Sequence, residues 1–370
     1  MTQTDLKTPQ AGERLLSLDF FRGLTMFLLI ATYTGLGKYM TTPELEGTLI
    51  YNIGLQIKHH PWNGLRFWDL IQPFFMFIVG VAIPYSYANR VKRGDTHTEI
   101  LRHVIKRSLL LLFIGWALIY RGPENGIFHF QNVLAQLSVT YLLAFLVMKK
   151  PARTQIIFSL LLLAVTEAIY RLFPVEGFNH PFVANENFGT WLDLQYGGAS
   201  LNGHWVSFNA IPTTAHTIWG VLAGQLLMSN RPALKKLMIL VVAGAIGLIA
   251  GYALSSVTPI IKRICTSSFV LVSGGWTILA LAFSYGLIDI LKQRRWILFF
   301  TVVGMNPLFI YLFASAGGAK FLNGVIQPFT LTLFGWAGES TTGIFTSLIT
   351  LFLLWAICYW FYKKKIFIRI

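Results

Sequence analysis

Apolar residues in this chain gather into long runs separated by short polar or basic clusters. Runs long enough to cross a bilayer, about 20 residues each, fall at 17–38, 67–89, 105–121, 131–149, 154–174, 209–229, 235–256, 267–291, 296–316 and 341–362. In hydrocarbon every backbone N–H and C=O needs an internal partner, and a helix supplies one within the segment. The pattern therefore predicts an all-α fold, a polytopic transmembrane helical bundle of about ten spans. Residues 1–14 read as a polar tail, and the longer connections fall at 39–66, 175–208 and 317–340. With no fixed-period repeat and no soluble insertion, residues 1–370 read as one membrane domain.

Loop charges orient the runs, because short cytoplasmic connections collect Lys and Arg. Arg90, Lys92, Arg93, Arg102, Lys106 and Arg107 lie between the second and third runs. Lys149, Lys150 and Arg153 follow the fourth, Arg231, Lys235 and Lys236 the sixth, and Lys292, Arg294 and Arg295 the eighth. Lys363, Lys364, Lys365 and Arg369 end the chain, and Lys7 and Arg14 open it. All these clusters fall on one side when both termini are cytoplasmic (N-in/C-in). The 1–14 tail is then inside, and 39–66, 175–208 and 317–340 are outer loops.

Composition sharpens this picture. The chain is 55% hydrophobic and 12% charged, with a mean hydropathy of +0.59, which excludes an ordinary soluble domain and a disordered chain. The formal charge of +15 is distributed in clusters between apolar runs, as expected for anchoring to membrane lipid. It forms no single basic stripe, so no nucleic-acid partner is expected. Cys265 and Cys358 stand on different runs, without metal-ligand spacing, and no metal is expected. Asp19 and Arg22 interrupt the entry to the first run and no small-residue cleavage pattern follows it, so that run is expected to remain in the membrane. A bacterial inner (plasma) membrane is the simplest compartment for such a multi-pass chain.

Chemistry concentrates in one stretch, His59 to Ser86, where H-H-P-W-N-G-L-R-F-W-D-L-I-Q leads into an apolar run. Ionisable groups beside a spanning segment are costly and point to function. His59 and His60 can exchange protons near neutral pH or act as nucleophiles, although a histidine beside an aromatic belt is also an ordinary interfacial residue. Trp62 and Asn63 crowd them. Asp69 and Gln72, three apart, would lie on one face of the second helix, able to orient a histidine, hold an acceptor or bond a neighbouring helix. Asp19 and Arg22 share the same spacing and are expected to form a structural pair. Lys106 and Arg107 either anchor the third span or grip the phosphates of a cytosolic cofactor, since an Arg fork matches phosphate oxygens. Gln136, His216 and Asn306 are polar groups within apolar runs, expected to face the bundle. No nucleotide-binding loop, zinc-protease motif or Ser-His-Asp signature occurs.

At these residues the chain resembles the heparan-α-glucosaminide N-acetyltransferase family, within the transmembrane acyltransferases, as a bacterial member. The blocks are S-L-D-F-F-R-G-L at 17–24, H-H-P-W-N-G-L and D-L-I-Q-P-F-F-M-F-I-V-G within 59–80, and K-R-S-L-L-L at 106–111. V-L-A-Q-L-S-V-T-Y at 133–141, W-G-V-L-A-G at 219–224, G-M-N-P at 304–307 and Y-K-K-K-I-F at 362–367 extend the resemblance along the chain. It implies acetyl-CoA as cytosolic co-substrate, held near Arg107, and acetylation of a glucosamine amine across the membrane. It also implies that the essential histidine, three residues before the tryptophan, is His59 and not His60. The chain departs from the family where Tyr33 stands for an asparagine, Gln136 for an arginine of the fourth span and Ala314 for a histidine.

The expected activity is therefore acyl transfer from acetyl-CoA to an amino sugar or other small-molecule or glycan acceptor. His59 would be general base or acetyl carrier, with His60, Trp62, Asn63, Asp69, Gln72, Tyr33 and Asn306 around the acceptor. Lys106, Arg107 and Gln136 would stand on the cofactor side. A transporter of a small sugar or anion and a non-catalytic relative of the family are the alternatives, and a homodimer is compatible with the sequence.

Overall fold

The computed structural model describes residues 15–120, 130–195 and 205–368; the predicted tail at 1–14 lies outside them. Among the described residues, fifteen α-helices follow one another. They are α1 (Leu16–Tyr33), α2 (Leu36–Met40), α3 (Leu49–Gln56), α4 (Ile71–Lys92), α5 (His97–Ile119), α6 (Val133–Val147), α7 (Ala152–Leu172) and α8 (Phe188–Gln195). Then come α9 (Thr214–Met228), α10 (Ala233–Leu254), α11 (Ser267–Tyr285), α12 (Ile297–Met305), α13 (Pro307–Phe313), α14 (Ala319–Phe334) and α15 (Gly338–Lys363). The only β pairing among the described residues is an isolated bridge between Asn63 and Ile261.

The all-α expectation holds, and helix occupies each of the ten apolar stretches. Among the described residues, six helical stretches are long and apolar enough to cross a membrane: Leu16–Tyr33, Phe67–Lys92, Ala152–Leu172, Ala233–Leu254, Ser267–Ile290 and Pro307–Lys363. Helices α6 and α9 are shorter, at 15 residues each. Helix α5 starts at His97, ahead of the predicted 105, because Thr96 caps it: its hydroxyl accepts from Glu99 N at 3.3 Å while the Glu99 carboxylate accepts from Thr96 N at 2.7 Å.

The stretches predicted as outer loops contain helix. Residues 317–340 are largely helical, as α14 and the first turn of α15. Lys320, Asn323 and Gln327 interleave with the apolar positions of α14 and dilute its hydropathy, which made it read as a connection. Thr330 meets Thr346 at 2.6 Å, and the rings of Phe334 and Phe345 stack 4.1 Å apart, fastening α14 to α15. Residues 39–66 likewise contain the end of α2, a 3₁₀ turn at Pro43–Leu45 and α3. In 175–208, α8 and the start of a 3₁₀ turn at Ser207–Ala210 are helical; residues 196–204 lie outside the described set.

Chain contacts gather into two compact units. Among the described residues, the first comprises Leu15, Pro61–Leu65 and those between Gln72 and Leu291. Its core joins Ile83, Ile100, Val104, Tyr141, Phe145 and Ile218 of α4, α5, α6 and α9. A buried histidine, His216, ties α9 to α11 through Ser273 Oγ at 2.9 Å and Val270 O at 3.1 Å. The second comprises Leu16–His60, Arg66–Ile71 and the described residues from Lys292 on. There α1 and α12 approach so closely at Gly23 that a Cβ would stand 2.0 Å from the Phe300 carbonyl oxygen. Thr34 O, at the end of α1, accepts from Asn323 Nδ2 and Ser347 Oγ, both at 2.9 Å, joining α1, α14 and α15.

Candidate functional site

In the second unit, His59 and the residues just before α4 form a closed hydrogen-bonded knot. Asp69, 1% exposed, sits in the 3₁₀ turn Phe67–Leu70 that leads into α4. Its Oδ1 faces His59 Nδ1 at 2.9 Å. Its Oδ2 accepts from His60 N at 3.1 Å and from Arg66 N at 2.9 Å. Arg66 Nη1 in turn donates to His59 O at 3.0 Å. Phe67 N donates to Gln56 Oε1 at 3.1 Å, fastening the turn to the end of α3.

Two backbone N–H groups already occupy Oδ2, and with Oδ1 accepting from Nδ1–H the lone pair of a neutral imidazole resides on Nε2. The His59 side chain is 37% exposed against 1% for Asp69. This is the geometry of an oriented general base or nucleophile. His60 contributes its backbone to the knot, while its Nδ1 is buried without a hydrogen-bond partner.

The remaining sequence candidates of the second unit hold structural positions. Asp19 and Arg22 form the expected ion pair, three residues apart on α1. Tyr33 packs edge-on to Tyr311 of α13, ring centroids 6.1 Å apart. Asn306, fully buried between α12 and α13, has its amide committed to the chain's last described stretch: Nδ2 donates to Ile366 O at 3.0 Å and Oδ1 accepts from Ile368 N at 2.8 Å.

In the first unit, Trp62 Nε1 donates to Phe182 O at 2.7 Å. Asn63 Oδ1 accepts from Ile260 N at 3.1 Å, and Gly64 N donates to Ile260 O at 2.8 Å. Asn63 and Gly64 therefore fasten this piece of chain to Ile260, and Trp62 fastens it to Phe182. Gln72 of α4 donates to Gln136 of α6, so two residues assigned to opposite ends of the site are bonded to each other. Arg107 lies over the Tyr141 ring, 4.9 Å from its centroid. Its Nε and the Oγ of buried Ser108 lack hydrogen-bond partners, whereas Lys106 is exposed. Donors of this kind suit an anionic group. Among the described residues, no group of three or more His, Cys, Asp or Glu is placed to hold a metal ion.

Arg66 was legible in the sequence only as a charge of an outer loop. No spacing rule links it to His59, seven positions earlier, because the contact depends on the loop's closure.

Comparison with known proteins agrees with the motifs. The mouse (Mus musculus) heparan-alpha-glucosaminide N-acetyltransferase is 32% identical over 136 residues, covering 35% of this chain and 18% of that protein. The human (Homo sapiens) protein of the same name is 33% identical over 133 residues, again 35% of this chain and 18% of the relative. The matched segment is thus less than a fifth of either relative. The family model described as the catalytic part of heparan-alpha-glucosaminide N-acetyltransferase matches residues 14–249, a stretch that contains the His59–Asp69 pair and Arg107. On that match the chain belongs to the heparan-alpha-glucosaminide N-acetyltransferase catalytic family.

Proposed function

We propose that this protein is a membrane acyltransferase that moves the acetyl group of acetyl-CoA onto the amine of an amino sugar or a related glycan acceptor. The observation that carries the reading is the His59–Asp69 pair, in which the buried Asp69 side chain holds Nδ1 of a partly exposed imidazole. Membership of an N-acetyltransferase family and helices able to cross a membrane support the same reading.

In this account the bundle has ten spans with both termini cytoplasmic, as the basic clusters favour. A bacterial inner membrane suits the arrangement. Acetyl-CoA is presented from the cytosol, where Arg107, whose Nε has no hydrogen-bond partner among the described residues, would hold phosphate oxygens. The acceptor approaches His59 from the other side. His59 Nε2 takes a proton as the acceptor nitrogen attacks the thioester carbonyl; the C–S bond breaks, the amide forms, and the proton passes to the departing thiolate. Asp69 stabilises the imidazolium in between, and a positioned base of this kind contributes about 10² to 10⁴ in rate. The residue pattern equally serves a two-step route in which Nε2 carries the acetyl group.

The test is free-thiol release by the purified protein from acetyl-CoA, in the presence of glucosamine, other amino sugars and sugar alcohols. Acceptor-dependent thiol release with a matching acetylated product supports the proposal. Acetyl-CoA that stays intact with every acceptor, in protein shown to be folded, would overturn it.

A further inference from the structure

The loop that carries His59 has no regular structure between α3 and the turn at Phe67–Leu70, yet one of its peptide groups is held at both ends. The carbonyl of His59 and the N–H of His60 belong to the same planar unit. The carbonyl accepts from Arg66 Nη1 at 3.0 Å, and the N–H donates to Asp69 Oδ2 at 3.1 Å. A plane gripped on opposite edges cannot rotate, so ψ of His59 and φ of His60 are set. The imidazole is then restrained a second time through Nδ1.

Asp69 alone cannot do this. Its two oxygens hold Nδ1 and the His60 N–H, which is one edge of the peptide plane, but a plane held at one edge can still pivot about that bond and carry Nε2 sideways. The carbonyl of His59 needs a donor of its own, and Arg66 supplies it from seven positions downstream. Arg66 is well placed because its own N–H is bound to the same Asp69 oxygen, so the root of its side chain is fixed to the group it helps to organise. Its backbone is extended, with φ −116° and ψ 161°, at the entry to the 3₁₀ turn.

We infer that Arg66 is the positioning residue of the acetyl-transfer site: its guanidinium locks the His59–His60 peptide plane and thereby aims His59 Nε2. The inference rests on the proposed reaction for its catalytic consequence but not for the clamp itself. Productive geometry tolerates displacements of only about 0.5 Å, and a misplacement near 1 Å can cost about 10²-fold in rate. Loss of the clamp is therefore expected to act on kcat and to leave the KM for acetyl-CoA unchanged.

Two substitutions separate the clamp from the side chain's bulk and charge. Arg66→Met keeps an unbranched stem without a donor, and Arg66→Lys keeps both charge and a donor able to reach the carbonyl. Amide hydrogen exchange over residues 57–66 reads the clamp directly, whether or not transfer is observed. The expected results are exchange at least about tenfold faster in Arg66→Met, a roughly tenfold or greater fall in kcat with unchanged KM for acetyl-CoA, and substantial recovery of both in Arg66→Lys. Unchanged exchange in Arg66→Met would remove the clamp. Faster exchange with unchanged kcat would show that the clamp does not aim His59, and equal losses in both variants would mean that the donor is not what acts. Were no acceptor ever acetylated by the wild type, the proposed function would fail while the exchange result still judged the clamp.

Discussion

Gly80 of α4 and Gly220 of α9 meet backbone to backbone. A Cβ on Gly80 would lie 2.1 Å from the Thr217 carbonyl oxygen, and one on Gly220 would lie 2.1 Å from that of Phe77. Gly224, one turn on, is similarly tight against Val81 O at 2.5 Å. Helices embedded in lipid gain little from hydrophobic association, so small residues four apart allow close van der Waals packing instead. Gly220→Leu is accordingly expected to abolish the thermal unfolding transition of the detergent-solubilised protein or lower its midpoint by well over 5 °C. Gly324→Ala, where nothing lies within 4 Å of the added carbon, should leave that midpoint unchanged.

The second prediction concerns Asp69. Asp69→Asn retains the size of the side chain but loses the charge that would stabilise the imidazolium and one of its two acceptor oxygens, so a single oxygen cannot serve both the backbone donors and His59 Nδ1. Acetyl transfer should fall by about 10² to 10⁴, the range associated with an impaired general base. Thiol-release kinetics check this, with the affinity for acetyl-CoA measured separately and expected to hold.

Asn306 gives an outcome of the opposite kind. Its amide is spent on Ile366 and Ile368, so Asn306→Ala should free that terminal stretch and leave transfer near the wild-type rate. Loss of the two bonds should destabilise the protein by about 1–3 kcal/mol, as for other buried hydrogen bonds broken from one side. Limited proteolysis near Lys363–Lys365 reads the release, and thiol-release assays read the retained activity.

Most of the helical pattern was legible from hydropathy because a lipid-facing helix must be apolar along its whole length. Helix α14 was not, since Asn323 there bonds Thr34 O and so brings a polar residue into a packed helix that a linear profile averages away. The position of His59 and the spacing of Asp69 were also visible, but their contact was only one of several readings. Asp69 could as well have bonded a neighbouring helix, and Gln72, one turn on, does so with Gln136. Arg66 illustrates what no linear pattern carries: a loop closure that brings a guanidinium to a backbone carbonyl leaves no periodic trace.

Cys265, just before α11, supplies a prediction in pH. Burial pushes its thiol up to about 12, against an opposing pull from Lys262. An unfolded cysteine ionises near 8.5 (about). The folded chain therefore keeps a proton that the unfolded chain gives up, so this contribution to stability is fully present below the unfolded value and is lost as pH rises toward the folded one. In a Cys358→Ser background, maleimide labelling of the native protein at pH 8 should be very slow and should accelerate by orders of magnitude on denaturation. Rapid native labelling would show that the thiol is neither buried nor suppressed.

The two adjacent histidines allow the most direct test of the acyl-transfer account. His59 presents an exposed ring oriented by Asp69, whereas His60 serves through its backbone N–H, which any residue except proline provides. Acetylated product formed from acetyl-CoA and the best acceptor should be measured for the wild type, His59→Ala and His60→Ala, each confirmed as folded by its thermal transition. The account predicts that His59→Ala loses transfer while His60→Ala retains most of it. Transfer that survives in His59→Ala, or that disappears only in His60→Ala, would contradict the assignment of His59 as the reacting base.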